Sequence, residues 1–139
     1  MARTRSISPG GTRGTVFKEV ARSRRADAAV LLEHRRYAGA VYLAGYAVEC
    51  LLKWAVTARR NLIYLPAELE VHDWDTLLGE AGIEPTLHSE PTLSAIYSEL
   101  VERWAPELRY LAKEPKAKDA QRLCQNMNLL YAWIVEQTI

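Results

Sequence analysis

Tyr37-Ala-Gly-Ala-Val-Tyr-Leu-Ala-Gly-Tyr-Ala-Val-Glu-Cys-Leu-Leu-Lys53 is the stretch whose reading decides the fold. Val41, Ala44, Val48, Leu51, Leu52 and Ala55 recur at helical spacing and make a wide apolar face, which predicts a helix over residues 37–60. Gly39, Ala40, Ala44, Gly45 and Ala47 add a small-residue surface to it. A glycine inside a helix costs about 1 kcal/mol relative to alanine. Two of them predict that another backbone, from this chain or a second subunit, approaches closely. Glu49 and Lys53 interrupt the apolar run, whereas a membrane span needs about 20 mostly apolar residues. The expectation is a soluble core helix with no membrane partner.

Outward from this segment, helical periodicity continues and no strand alternation stands against it. Upstream, Phe17, Val20, Ala21, Ala28, Leu31 and Leu32 share one side of a helix predicted over 16–36, with Arg22, Arg24, Arg25, Glu33 and Arg35 mainly on the other. Downstream, residues 61–71 read as a connection broken by Pro66. A short helix over 73–80 follows, with Asp73 as N-cap and Gly82 as its stop. Residues 83–90 read as a second connection. Pro91 opens a helix over 91–104, and a polar segment leads to a last helix over 117–137. The fold class expected is all-α: an antiparallel bundle of about five helices, four long and one short.

The chain has 139 residues, enough for one domain over 16–139. A hydrophobic content of 49% supports a core, and a net charge of +1 provides no global field toward nucleic acid or membrane. Residues 1–15, rich in Gly, Ser, Thr and Arg, read as a flexible basic tail without the apolar stretch of a secretory signal. A cytoplasmic location is expected, with Cys50 and Cys124 as reduced, buried thiols.

Little conventional chemistry is spelled out. His34, His72 and His88 form no ligand spacing with each other or with a cysteine, so neither a metal nor another cofactor is expected. Pro9-Gly10-Gly11 lacks the strand and lysine of a phosphate loop. No serine or cysteine stands in a nucleophile motif, and no catalytic residue is assigned. Tyr42, Tyr46, Glu49 and Lys53 are spaced four, three and four apart and so line one helical stripe. Two readings stay open. The stripe is a partly exposed face with a surface ion pair worth a few tenths of a kcal/mol, or it shapes a cleft where tyrosines and charges meet a ligand.

The same segment resembles the signature helix of the HEPN family (higher eukaryote and prokaryote nucleotide-binding domains), a small, tyrosine-bearing apolar run ending in Ala-Val-Glu, two residues, then Lys. His72-Asp73-Trp74 with Leu77-Leu78 is similar to the family's His-Asp-Leu segment, and Arg109-Tyr110 resembles its Arg-Tyr pair before the last helix. The resemblance spans residues 17–136. It implies a helical bundle that dimerises, a cleft for nucleotide or RNA, and, in many members, metal-independent ribonuclease activity alongside a minimal nucleotidyltransferase in toxin–antitoxin or defence systems. The family's catalytic pattern is an arginine, four to six residues, then a histidine. None of the three histidines has an arginine at that spacing, so the imidazole that would move a ribose 2′-hydroxyl proton is missing. The expectation is therefore a non-catalytic or divergent nucleotide- or RNA-binding domain, with Arg109, Tyr110 and Lys116 on the ligand. The alternatives are a ribonuclease with a non-standard site and a protein-interaction module without ligand.

Overall fold

The computed structural model describes residues 11–104 and 114–139, and among these it contains six α-helices, a single 3-10 turn and no strand. The helices are α1 (Gly14–Glu33), α2 (Tyr37–Arg59), α3 (Trp74–Ala81), α4 (Glu84–His88), α5 (Pro91–Arg103) and α6 (Ala117–Thr138). The fold is an all-helical bundle, as the periodicity predicts. α2 is its axis, because a helix apolar on all sides has to be covered on all sides. Every residue from 47 to 57 is buried. By length and composition this helix alone among those described is apolar enough to cross a membrane, yet 78% of its most apolar window is buried inside the protein.

α1, α3 and α6 pack against α2, and α5 closes the bundle against α6. The contacts at the helix ends fix the directions. Gly14 N–H donates to Ile63 O at 2.9 Å, so α1 runs antiparallel to α2. The side chain of Arg59 donates to Ala81 O at 2.7 Å and Gln137 O at 2.8 Å, gathering the C-terminal ends of α2, α3 and α6. Glu114, three residues before α6, accepts from Ala38 N–H at 2.8 Å, so α6 runs parallel to α2. The Trp104 indole at the C-terminus of α5 reaches back to Tyr42 near the start of α2, which makes α5 antiparallel.

Four differences from the sequence expectations have local causes. Helix α1 begins at Gly14, inside the stretch assigned to the tail: residues 12–14 hydrogen-bond to residues 63–65, and Gly14 is buried against Thr57. Residues 1–10 lie outside the described residues. At its other end α1 stops at Glu33, because Arg35 takes a left-handed φ of 62°. The connection predicted over 83–90 contains α4, started by Pro85 in the first turn and held by buried Leu87. The neighbours of the α2 glycines are side chains rather than a backbone: the Trp104 indole fills the notch at Gly45, and Leu31 approaches Gly39.

A Cβ at Gly45 would fall inside the indole of Trp104, whereas one at Gly79 in α3 meets nothing within 4 Å. Gly45→Ala is expected to destabilise by about 1–3 kcal/mol through overpacking. Gly79→Ala is expected to stabilise by up to about 1 kcal/mol through helix propensity. Thermal melts of the two variants check the opposite signs.

Candidate functional site

The Tyr42–Tyr46–Glu49–Lys53 stripe divides into an aromatic half and a charged half. The charged half is inside the protein. Glu49 is 0% exposed and Lys53 7% exposed, and Lys53 Nζ donates to Glu49 Oε2 at 3.0 Å. The surface-pair reading is corrected by this burial: α1, α3 and α6 all pack against the helix that carries these residues. Burying two charges costs several kcal/mol each after relaxation, and close pairing offsets that only when further polar contacts are made. One such contact comes from His72, whose Nδ1 lies 2.9 Å from Glu49 Oε2. Its side chain is 61% exposed, so the imidazole joins the buried carboxylate to the surface. Lys53 also stands over the Phe17 ring of α1, 5.5 Å from its centroid. Glu49 Oε1 has no hydrogen-bond partner among the described residues.

Asp73, next to His72, positions this corner. It caps α3 by accepting from Asp75 N–H at 3.1 Å and from Thr76 Oγ1 at 2.7 Å. Trp74 then enters the aromatic half. Its ring stacks on Trp104 at 5.1 Å between centroids, Trp104 lies 6.2 Å from Tyr42, and Tyr42 lies 6.3 Å from Tyr46 with their planes 9° apart. Trp104 Nε1 donates to Tyr42 O at 3.1 Å, which fixes the ring in the Gly45 notch. Tyr97 ends the row on the other side, 6.2 Å from Trp74, and donates from its hydroxyl to Asp75 Oδ1 at 2.6 Å. Tyr42 and Tyr46 are half-buried, so this row reaches the surface on α2.

Burial governs the titration of the nearby acids. It pushes the Tyr46 phenol up to about 12, aided by Cys50 one turn along. It pushes the Cys50 thiol up to about 11, with the hydrogen bond to Tyr46 opposing. Cys124 on α6 is likewise raised to about 11 by burial alone. Both cysteines are buried free thiols held in the protonated form at neutral pH.

Tyr42, Tyr46, Glu49 and Lys53 are thus one face of α2, as their spacing implies. Lys116 is exposed as the N-cap of α6 and touches none of them. Arg109 and Tyr110 lie outside the described residues. No spacing in the sequence joins His72 to Glu49, or Trp74 and Trp104 to the tyrosine stripe; Gly45, expected to face another backbone, faces the Trp104 indole instead. Among the described residues no three His, Cys, Asp or Glu side chains gather as a metal site. Comparison with protein-family models, with curated proteins and with solved structures gave no match.

Glu49→Gln leaves the Lys53 ammonium buried beside a neutral amide and is expected to cost about 3–5 kcal/mol, whereas Glu49→Leu with Lys53→Met recovers most of the loss. Urea unfolding of the two variants and the parent checks this order. The raised thiol and phenol values set a second expectation. A neutral acid whose folded pKa exceeds its unfolded value adds stability that is complete below the unfolded value and lost as pH climbs through the folded one. Stability is therefore expected to hold up to about pH 9 and to fall between there and about pH 12. At pH 8 neither cysteine should react with a thiol reagent until the protein is unfolded.

Proposed function

We propose that this chain is a HEPN-type domain that binds a nucleotide or RNA without cleaving it, acting as a dimer beside a small nucleotidyltransferase. The observation that carries the binding site is the way both flanks of residues 105–113 land on the start of α2. Trp104 lies in the Gly45 notch against Tyr42, and Glu114 accepts from Ala38 N–H at 2.8 Å. The chain thus leaves the described structure beside the half-buried Tyr42 and rejoins it at Ala38, one turn earlier on the same helix. Arg109 and Tyr110 belong to the segment between these anchors. An arginine for phosphate and an aromatic for a base are the groups such a ligand needs, and stacking of a base on an aromatic is worth about 1–3 kcal/mol.

The buried Glu49–Lys53 pair, with the exposed His72 at its edge, supports a framework role rather than a catalytic one. Glu49 and Lys53 are engaged with each other in the core, and His72 Nδ1 faces Glu49. Neither of the other histidines is paired with an arginine: His34 Nδ1 lies 2.9 Å from Val30 O, and His88 Nδ1 lies 3.3 Å from Ser94 Oγ.

Titration with labelled AMP and with labelled single-stranded RNA, in chelator, is expected to show binding with the RNA left intact. Arg109→Ala with Tyr110→Ala is expected to weaken nucleotide binding at least tenfold, about 1.4 kcal/mol. Failure to bind both probes rejects the proposal. Metal-independent cleavage that Arg109→Ala abolishes would replace it with a ribonuclease.

A further inference from the structure

The arginine-bearing side of α1 has no part in the site at the start of α2, yet it forms one wall of a groove against α6. Two cavities, of about 440 and 530 Å³, lie along this junction and share Ala29 and Leu32 in their linings. Arg22, Arg25 and Asn128 border the first, and Arg35, Tyr37 and Gln121 the second. The two cavities adjoin at Ala29 and Leu32 and together make up a trough beside the α1–α6 junction.

We infer that this α1–α6 trough is a binding track for single-stranded RNA, with Arg22, Arg25 and Arg35 on its phosphates and Asn128 and Gln121 supplying amide hydrogen bonds; the inference rests on the nucleic-acid reading above and names the surface the strand follows. Charge is the first ground. α6 carries no acidic residue between Asp119 and Glu136, and Asp119 is engaged by Arg122 at 3.5 Å. On α1, Asp27 is paired with Arg24 at 3.3 Å, which leaves Glu33 as the acid lining the trough. Three arginines against one carboxylate give a local positive field in a chain whose net charge is only +1.

Geometry is the second ground. Arg25 Nε donates to Asn128 Oδ1 at 3.0 Å, and its guanidinium lies 4.4 Å above the Tyr131 ring, so this cation is held in place rather than sweeping through solvent. Arg22 is exposed and makes no ion pair among the described residues. Arg35 occupies the left-handed turn after α1 at a φ of 62°, where glycine is the unstrained choice. Arg35 lines the trough from this left-handed turn and adds a cation to that surface. From Arg22 to Glu33, the end of α1, the helix rise covers about 16 Å. That spans roughly five stacked nucleotides at about 3.4 Å each. The Arg35 end reaches Tyr37, next to the Ala38 anchored by Glu114, so the trough ends at the start of α2.

The test measures binding of a fluorescein-labelled single-stranded 12-mer RNA by anisotropy, from 50 to 200 mM salt, with the full chain. Arg22→Ala combined with Arg35→Gly removes two cations while relieving the left-handed strain, so the variant is expected to fold as well as the parent by circular dichroism and thermal melting. Its affinity is expected to fall at least tenfold, and the slope of log K against log salt to become shallower by about 1.4 for two lost phosphate contacts. Arg60→Ala, which removes an exposed cation paired with Glu80 elsewhere, is expected to change neither. RNA binding by the parent with less than threefold loss and an unchanged slope in the double variant overturns the trough while leaving the nucleic-acid reading intact. Binding of AMP but not of the 12-mer does the same. Binding of neither probe by the parent overturns both.

Discussion

A carboxylate inside a protein must be neutralised where it stands, and Glu49 is the residue on which that requirement falls. It is fully buried in the middle of the axial helix, so the helices around α2 cannot be arranged without regard to it. Lys53 supplies the opposite charge from the same helix at 3.0 Å, and that choice needs no neighbour to be in register. The second contact does need one. His72 reaches Glu49 from the residue before the N-cap of α3, and so the buried charge fixes where the third helix begins. Breaking a buried pair leaves an uncompensated charge, whereas replacing both members with apolar groups is often nearly neutral. The cluster therefore specifies an arrangement more than it adds stability.

The aromatic row is the apolar counterpart of that constraint. Gly45 removes a side chain one turn before Glu49, and the Trp104 indole occupies the space with its N–H satisfied by Tyr42 O. Trp74 stacks on Trp104 from α3, two residues after His72. One end of α3 is thus held twice, by a polar contact and by a ring contact. At the opposite end of the bundle Arg59 does comparable work with a single side chain, satisfying carbonyls at the ends of α3 and α6. Carbonyls at helix ends lack partners within their own helix, and an arginine with several donors is suited to them.

Much of this order is local in the chain and hence legible in it. The α2 face, the Asp73 cap, the Gly82 stop and the Pro91 start depend on residues within a few positions of each other, and the structure reproduces them. Gly82 takes a φ of 75°, as a helix stop requires. The stripe from Tyr42 to Lys53 was legible as geometry, because helical spacing alone puts those residues on one face. Its burial was not. An i,i+4 Glu–Lys pair has the same spacing on a surface as in a core, and only the helices packed around α2 distinguish the two. His72 lies 23 residues from Glu49, and Trp104 lies 59 residues from Gly45. No periodicity joins such positions. The α4 turn escaped for the opposite reason: five residues are too few to display a helical repeat.

The two surfaces proposed for ligand follow from what the core leaves unoccupied. α2 is covered by α1, α3 and α6 along its middle and emerges in its first turns beside Tyr37, Tyr42 and Tyr46, where the proposed ligand would meet it. α1 and α6 both pack on α2 but touch each other little, and the trough between them is the direct geometric consequence. A ligand entering it would meet arginines on one wall, with Arg25 already held in place, and neutral amides on the other. Neutral amides accept and donate without repelling phosphate, and Arg25 is already oriented by Asn128 across the trough. Side chains ordered before binding lose less entropy on binding than free ones. The contact that links α1 to α6 thus also orients Arg25 for the polyanion proposed to lie there.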